Sequence, residues 1–250
     1  MLKKGIKLKY AICLLVIFTA LSTDLVNLYV SINALKDNLA ENHLENNYRY
    51  AKKISISTNG LLASMVQNLS TLATIIGNEE FHQSDLDNWK AGNSSYYNSL
   101  FTTDSNGVVQ LMSPQALPAN KGSVHPGTKI NSPLMAKALR DKLPFISNPY
   151  LAQSGNLVVL VSYPIFDLSG NYKGVIDGTI YLEGNNSLKG ILNNHKFSDE
   201  SSVFVVDRSG RIIYHPDSSR INESIADHPL VQDVIQGKDG SAKIINNRGT

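Results

Sequence analysis

Ser99-Leu100-Phe101-Thr102-Thr103-Asp104-Ser105-Asn106-Gly107-Val108-Val109 decides the fold, because Ser202-Val203-Phe204-Val205-Val206-Asp207-Arg208-Ser209-Gly210-Arg211-Ile212 repeats its pattern. Each copy is a run of strand-forming residues, an Asp-x-x-Gly turn and a returning strand, with a proline soon after at Pro114 and Pro216. Such a phrase reads as a hairpin: the Asp carboxylate bonds nearby backbone amides, and the Gly takes the positive φ that reverses the chain. One Asp-x-x-Gly alone carries little information. Two in matching strand contexts, each followed by a helix-like segment at residues 132–142 and 229–236, predict an α+β fold of two tandem antiparallel-sheet modules.

Working outward, the first sheet is expected to continue through residues 157–163 and, beyond the Asp167-Leu168-Ser169-Gly170 turn, through residues 174–182. Side chains alternate across a strand, so Ile176, Gly178, Ile180 and Leu182 share an apolar face suited to a helix, while Val175, Asp177, Thr179 and Tyr181 share the other. An acid, a hydroxyl and a phenol in line make Asp177, Thr179 and Tyr181 candidate ligand-binding residues, with Tyr150 of the Asn148-Pro149-Tyr150 turn closing the pocket from the side. A merely solvated sheet face is the competing reading. Trp89, beside Asp85 and Asp87, is a candidate for stacking on a ligand, with packing between helix and sheet as its alternative.

Upstream of the first hairpin there is no proline before Pro114. Leu25, Leu28, Ile32, Leu35 and Leu39 recur at spacings of three and four, a heptad seam that predicts pairing with a second copy as a coiled coil. After a slip near Asn42 the pattern resumes at Tyr48, Ala51, Ser55, Thr58, Leu62, Met65, Leu69, Leu72 and Ile76. One long helix, part dimeric and part packed on a sheet, explains both stretches; two shorter helices joined near His43 would explain them as well. At the start, Lys3, Lys4, Lys7 and Lys9 precede the apolar residues 10–21 (YAICLLVIFTAL), which places the N-terminus in the cytoplasm and the chain beyond the apolar run outside. Apolar residues continue to Val30 with no Pro or Gly, long enough for an uncleaved membrane anchor. A signal peptide cleaved after Ser22 is the alternative.

Composition narrows the function classes. The 23 basic residues barely exceed the 21 acidic ones, and four of the basic ones lie in the N-terminal cluster, so there is no electrostatic footprint for nucleic acid. The single Cys13 sits in the apolar run and excludes a disulfide framework or a cysteine-based metal site. Six scattered histidines, among them His215 in a His-Pro-Asp turn, offer no paired ligand spacing. No phosphate loop, nucleophile elbow or Cys-x-x-Cys occurs. No catalytic residue, metal or cofactor is therefore expected.

Together these features resemble the double Cache sensor domains of bacterial transmembrane receptors, PAS-like modules stacked on a long helix. The segments carrying the resemblance are residues 146–150 (ISNPY), 161–167 (VSYPIFD), 174–182 (GVIDGTIYL) and 204–217 (FVVDRSGRIIYHPD), the last two most like the input regions of sensor diguanylate cyclases. The resemblance implies a basic cytoplasmic tail (1–9), a transmembrane helix (10–32), a long helix (33–87), a membrane-distal module (88–190) and a membrane-proximal one (191–250). The second module is expected to be incomplete, its last strands and the output domain lying beyond residue 250. It further implies a small ligand in the distal module, a homodimer through the long helix, and a location in the cell membrane with residues after about 32 outside. In relatives that recognise amino acids, an acid at the position matching Thr179 holds the ligand amine, helped by an Arg and a Trp-Tyr pair. Here Thr179 stands there, Asp177 lies two residues earlier, and no Arg occurs between Arg49 and Arg140. The ligand class is thus open between an organic acid and a cation, and Asp177 favours a ligand with a donor or positive group. A secreted solute-binding protein and a non-binding structural spacer are the alternatives to a sensor.

Overall fold

The computed structural model describes residues 8–115, 124–193 and 203–242. The chain divides into two units, Met1–Lys52 with Gly240–Thr250, and Lys53–Asp239. Helix α1 (Leu8–Asn78) starts in the first and ends in the second, unbroken at His43.

Within the first unit, α1 is long and apolar enough to cross a membrane. Leu14, Leu15, Ile17 and Phe18 are exposed, and so are the seam residues Leu25, Leu28, Ile32, Leu35 and Leu39. The polar side chains in this stretch satisfy themselves: Ser22 Oγ donates to the Phe18 carbonyl at 2.8 Å and Thr23 Oγ1 to the Thr19 carbonyl at 2.8 Å. Back-bonding of this kind satisfies these two hydroxyls without water.

In the second unit α1 turns an apolar stripe to a sheet. Met65, Leu69 and Leu72 are fully buried, as the periodicity predicts. Further back the expectation slips: Ala51 and Ser55 are exposed and Ile54 is buried instead. A strict heptad drifts round a straight helix of 3.6 residues per turn, whereas Ile54 and Met65 stand three turns apart on one face. The helix also ends earlier than the expected residue 87. It stops at Asn78, after the weak helix formers Gly77 and Asn78, and α2 (Gln83–Gly92) begins where the Asp85 carboxylate accepts the His82 amide at 2.8 Å.

The sheet is made of β1 (Ser99–Asp104), β2 (Val109–Ser113), β3 (Phe145–Ile146), β4 (Tyr150–Leu151), β5 (Leu157–Phe166) and β6 (Tyr172–Tyr181). Its order is β2-β1-β6-β5-β3, with β4 also on β5, and every pairing is antiparallel. The turn between β1 and β2 works as the sequence implies: Asp104 Oδ1 accepts the amides of Asn106 (2.8 Å) and Val108 (2.9 Å), and Gly107 has φ 79°. Its repeat does the same, with Asp207 Oδ1 accepting from Ser209 (2.8 Å) and Arg211 (3.0 Å) and Gly210 at φ 75°. Beyond each hairpin turn lies an isolated bridge, Val108 to Lys129 and Arg211 to Ser224. The repeat is structural as well as textual.

Helix α3 (Pro133–Asp141) lies where expected because its ends are signalled locally. Ser132 Oγ accepts the Met135 amide at 3.1 Å, Pro133 opens the first turn, and Lys142 closes it in the left-handed region. The two faces of β6 also divide as read. Ile176, Ile180 and Leu182 join Met65, Leu69, Leu72, Leu86 and Tyr97 in one apolar layer, while Val175 joins Phe101, Leu160, Met135 and Ala138 in the other. After α4 (Ser187–Asn193), the second module shows the hairpin β7 (Val205–Val206) and β8 (Ile212–Tyr214) and the helix α5 (Pro229–Ile235). Ser241 and Ala242 are not in a strand, and the rest of the strand expected at residues 241–245 lies outside the described residues.

Candidate functional site

The layer under α3 contains a cavity of about 50 Å³. Its wall is built from non-local pairing: Ser99 and Phe101 come from β1, Thr179 and Tyr181 from β6, and Tyr150 from β4. Ser99 stands opposite Thr179 in the β1–β6 register, and their hydroxyls meet at 2.5 Å. The backbone is pinned beside them, since Asn98 donates its amide to the Thr179 carbonyl at 2.8 Å and accepts the Tyr181 amide on its side-chain oxygen at 2.8 Å. Gln153 and Ser154 close the rim from the turn after Tyr150. Among the described residues the lining has no Lys, Arg, His, Asp or Glu.

Asp177 lies one strand step further along the same face and is completely buried. Its Cα partners are Phe101 on β1 and Ser162 on β5. Neither carboxylate oxygen makes a well-formed hydrogen bond, although the Ser162 hydroxyl opposite stands close to them, and the Tyr172 hydroxyl is buried without a partner. Burial pushes the Asp177 carboxyl up to about 7, and the Ser162 hydroxyl opposite lowers it only in part. Burial also raises the Tyr150 and Tyr172 phenols, with the nearby Asp177 charge adding to both. Burial disfavours the charged carboxylate, so the acid holds its proton to well above the usual carboxylate range.

The structure therefore brings Tyr150, Thr179 and Tyr181 to one cavity with Asp177 behind them. It does not bring Trp89 there. Trp89, on α2, packs against the opposite layer, and its indole Nε1 donates to the Asn68 side-chain oxygen on α1 at 3.1 Å. It stacks where α2 meets α1, because the apolar side of this short helix carries Leu86 and Trp89 together into the helix–sheet layer. Ser99, Phe101, Gln153 and Ser154 were not singled out by sequence reasoning. Alternation along the first hairpin strand puts Ser99 and Phe101 on one face, but only the pairing with β6 shows which face.

Behind the same strand lies a rigid contact. An added Cβ at Gly178 would meet the Tyr97 ring at 2.4 Å. Tyr97 is fully buried, and its hydroxyl donates to the Met65 carbonyl of α1 at 2.6 Å. The strand segment carrying Asp177 and Thr179 thus rests, through the Gly178 gap, on a side chain bonded to the long helix.

Comparison with known proteins accords with this architecture. No protein of curated function matches the sequence. Among solved structures, an extracellular ligand-binding receptor from Desulfohalobium retbaense superposes with a TM-score of 0.61 at 15% identity, covering 74% of this chain and 33% of that one. The ligand-binding domain of a Campylobacter jejuni chemoreceptor, in complex with 4-methylisoleucine, gives 0.59 at 16% identity over 77% of each chain. That of a Pseudomonas aeruginosa amino acid chemoreceptor, in complex with GABA, gives 0.52 at 20% identity over 70% of this chain and 76% of that one. At these identities the likeness is one of fold, and the chain spans about a third of the Desulfohalobium receptor. The Cache domain family model matches residues 31–249, nearly all of the sequence outside the apolar N-terminal stretch. With its long helix, antiparallel sheet and repeated hairpin, this chain belongs to the Cache domain family.

Proposed function

We propose that the chain is the extracytoplasmic sensing region of a membrane-bound receptor, and that a small molecule binds in the cavity formed by Tyr150, Thr179 and Tyr181. The observation that carries this reading is the cavity itself, aromatic and hydroxyl-lined, with a buried and unpaired acid beside it. The chemoreceptor domains that share the fold are described with amino acids or amino-acid-like molecules bound. Trp89 is left out of the site, since its indole is engaged by Asn68.

The anchored form is preferred to a cleaved signal peptide because α1 runs unbroken from Leu8 through the seam residues. That exposed seam, Leu25 to Leu39, is assigned to pairing with a second copy of the chain. Ligand binding would bias two arrangements of the paired helices by its differential affinity for them, with the Tyr97–Met65 contact as the mechanical link. A diguanylate cyclase output rests only on the resemblance of residues 174–182 and 204–217.

The test is a thermal-shift screen of the full chain in detergent micelles against amino acids, carboxylates, amines and purines, repeated with Thr179→Val and Tyr150→Ala. A ligand at a hundred times its Kd stabilises by about 2.7 kcal/mol, a rise of roughly 5 to 10 °C for a domain of this size. A rise abolished by both substitutions supports the pocket. Cooperative melting that no compound shifts refutes it and favours a structural spacer.

A further inference from the structure

A second cavity, of about 360 Å³, lies within the Lys53–Asp239 unit on the α1 side of the distal sheet, opposite the face that carries Tyr150 and Tyr181. Small-molecule sites span roughly 300–1,000 Å³. It is bounded by α1, the β3–β4 turn, α4 and the β7–β8 hairpin, so both modules contribute to it. Leu62, Val159, Ile180, Leu188, Leu192 and Ile213 make its walls apolar. The polar groups among them are unengaged. Thr58 Oγ1, on α1, is buried without a hydrogen-bond partner, whereas Thr71 and Thr74 of the same helix bond the carbonyls of Gln67 and Ser70. The side-chain amides of Asn59 and Asn148 have no partner among the described residues, and neither does the Arg208 guanidinium. Arg208 is the one cation in the described lining and Asp207 the one acid. Asp207 is committed to its own turn, where Oδ1 accepts the amides of Ser209 and Arg211.

An apolar chamber edged by a free cation and uncharged donors fits a molecule with a hydrophobic body and one anionic end. We propose that this inter-module cavity is a second binding site, for a hydrophobic monocarboxylate whose carboxylate meets Arg208 and whose body fills the space between Leu62, Ile180 and Leu192. The planar guanidinium can hold a carboxylate through two parallel hydrogen bonds, which fixes the ligand's orientation as well as its charge. Thr58 and Leu62 stand one helical turn apart on one face of α1, so the bound molecule would touch the long helix directly while bridging the distal sheet to the second hairpin. The distal cavity has no cation in its described lining and lies on the other face of the sheet. The two sites are therefore chemically distinct, and this one does not depend on the distal cavity taking a ligand.

Isothermal titration calorimetry on the full chain in micelles tests it, with empty micelles as the baseline and hexanoate, phenylacetate, phenylacetamide and phenethylammonium as probes. The two carboxylates are expected to bind, phenylacetate about five- to tenfold more tightly than the neutral amide, since Arg208 is exposed and its ion pair is worth less than a buried one. Phenethylammonium is expected to bind weakest. Arg208→Gln, an exposed substitution, is expected to melt with the original and to bring phenylacetate down to the affinity of phenylacetamide. Thr58→Val removes a buried hydroxyl that has no partner, so it is expected to hold or raise the melting temperature while weakening both carboxylates. Thr179→Val and Tyr150→Ala, in the distal cavity, are expected to leave carboxylate binding unchanged. Phenylacetate bound no better than phenylacetamide, or bound equally by Arg208→Gln, overturns the inference. Binding lost in Thr179→Val but kept in Arg208→Gln would assign the carboxylate to the distal cavity, overturning the second site and leaving the small-ligand reading intact. Silence from all four probes overturns the second site alone, since the distal cavity is judged by its own screen.

Discussion

Replacing Gly178 by Ala tests whether the ligand-facing strand is seated on the long helix through Tyr97. The added methyl would lie 2.4 Å from Tyr97 Cδ1 and 2.5 Å from Cε1, well inside van der Waals contact. Because Tyr97 is fully buried and its hydroxyl is held by the Met65 carbonyl, the ring cannot swing aside without giving up that bond. Overpacking of this kind costs about 1–3 kcal/mol, and loss of the hydrogen bond adds about 0.5–1.5 kcal/mol. Against this, Ala lowers the entropy of the unfolded chain and returns about 0.4–1 kcal/mol. The net destabilisation is about 0.5–4 kcal/mol, centred on about 2 kcal/mol, a drop of roughly 4 to 8 °C in Tm at that centre for a domain of this size. Melting monitored by circular dichroism on the full chain in micelles measures it. The companion is Tyr97→Leu, which clears the space: the double variant should be less destabilised than the sum of the two singles, the signature of a direct contact. A Gly178→Ala protein that melts with the original, or a double variant that is simply additive, would refute the strut.

Local geometry sets two further expectations. The Asp177 carboxyl titrates near 7 in the fold against 3.8 when free, so the folded state binds the extra proton, and this contribution is complete below about pH 4 and lost as pH rises through 7. Denaturant unfolding should show the protein losing about 2–3 kcal/mol between about pH 5 and about pH 8 relative to Asp177→Asn; parallel pH profiles would contradict the burial argument. Ser132→Ala removes the oxygen that accepts the Met135 amide and should cost about 1 kcal/mol by the same unfolding assay, with an unchanged midpoint counting against the cap.

How far the architecture can be read from the sequence depends on how local the signal is. The hairpins are legible because Asp104 and Gly107, or Asp207 and Gly210, complete the turn among themselves. Helix α3 is legible because Ser132, Pro133 and Lys142 mark its own ends. The division of β6 into an apolar and a polar face needs only the two-residue period of a strand. The cavity is different in kind. Ser99 meets Thr179 through pairing between segments 80 residues apart, and no periodicity in either strand states that they are neighbours. Trp89 lies away from that cavity for a related reason: an aromatic near two acids has the composition of a ligand-stacking site, but only the packing of α2 on α1, with Asn68 bonded to the indole, shows which side of the sheet it is on. The end of α1 at Asn78 is obscured because no proline marks it, and the stop comes from Gly77, Asn78 and the competing start at Asp85.

The same alternation that made β6 readable also explains why a pocket on one face can speak to a helix on the other. Successive residues serve opposite layers: Thr179 faces the cavity with Asp177 on the same side of the strand, while Ile176, Gly178 and Ile180 face the helix layer. A displacement of the strand that suits a ligand at Thr179 therefore moves Gly178 by a comparable amount. The layer behind it is filled by Met65, Leu69, Leu72 and Tyr97, all fully buried, and an interior packed to that density does not absorb such a shift by local compression. It transmits the shift or resists it. Of these side chains Tyr97 alone couples packing to direction, since its 2.6 Å bond ends on a backbone carbonyl of α1 rather than on a side chain that could rotate away. In the proposed sensing role, Tyr97→Phe is expected to leave ligand affinity intact and to weaken the effect of ligand on hydrogen exchange in α1 around Met65. Equal ligand protection of α1 in both proteins would show that the message travels by another route.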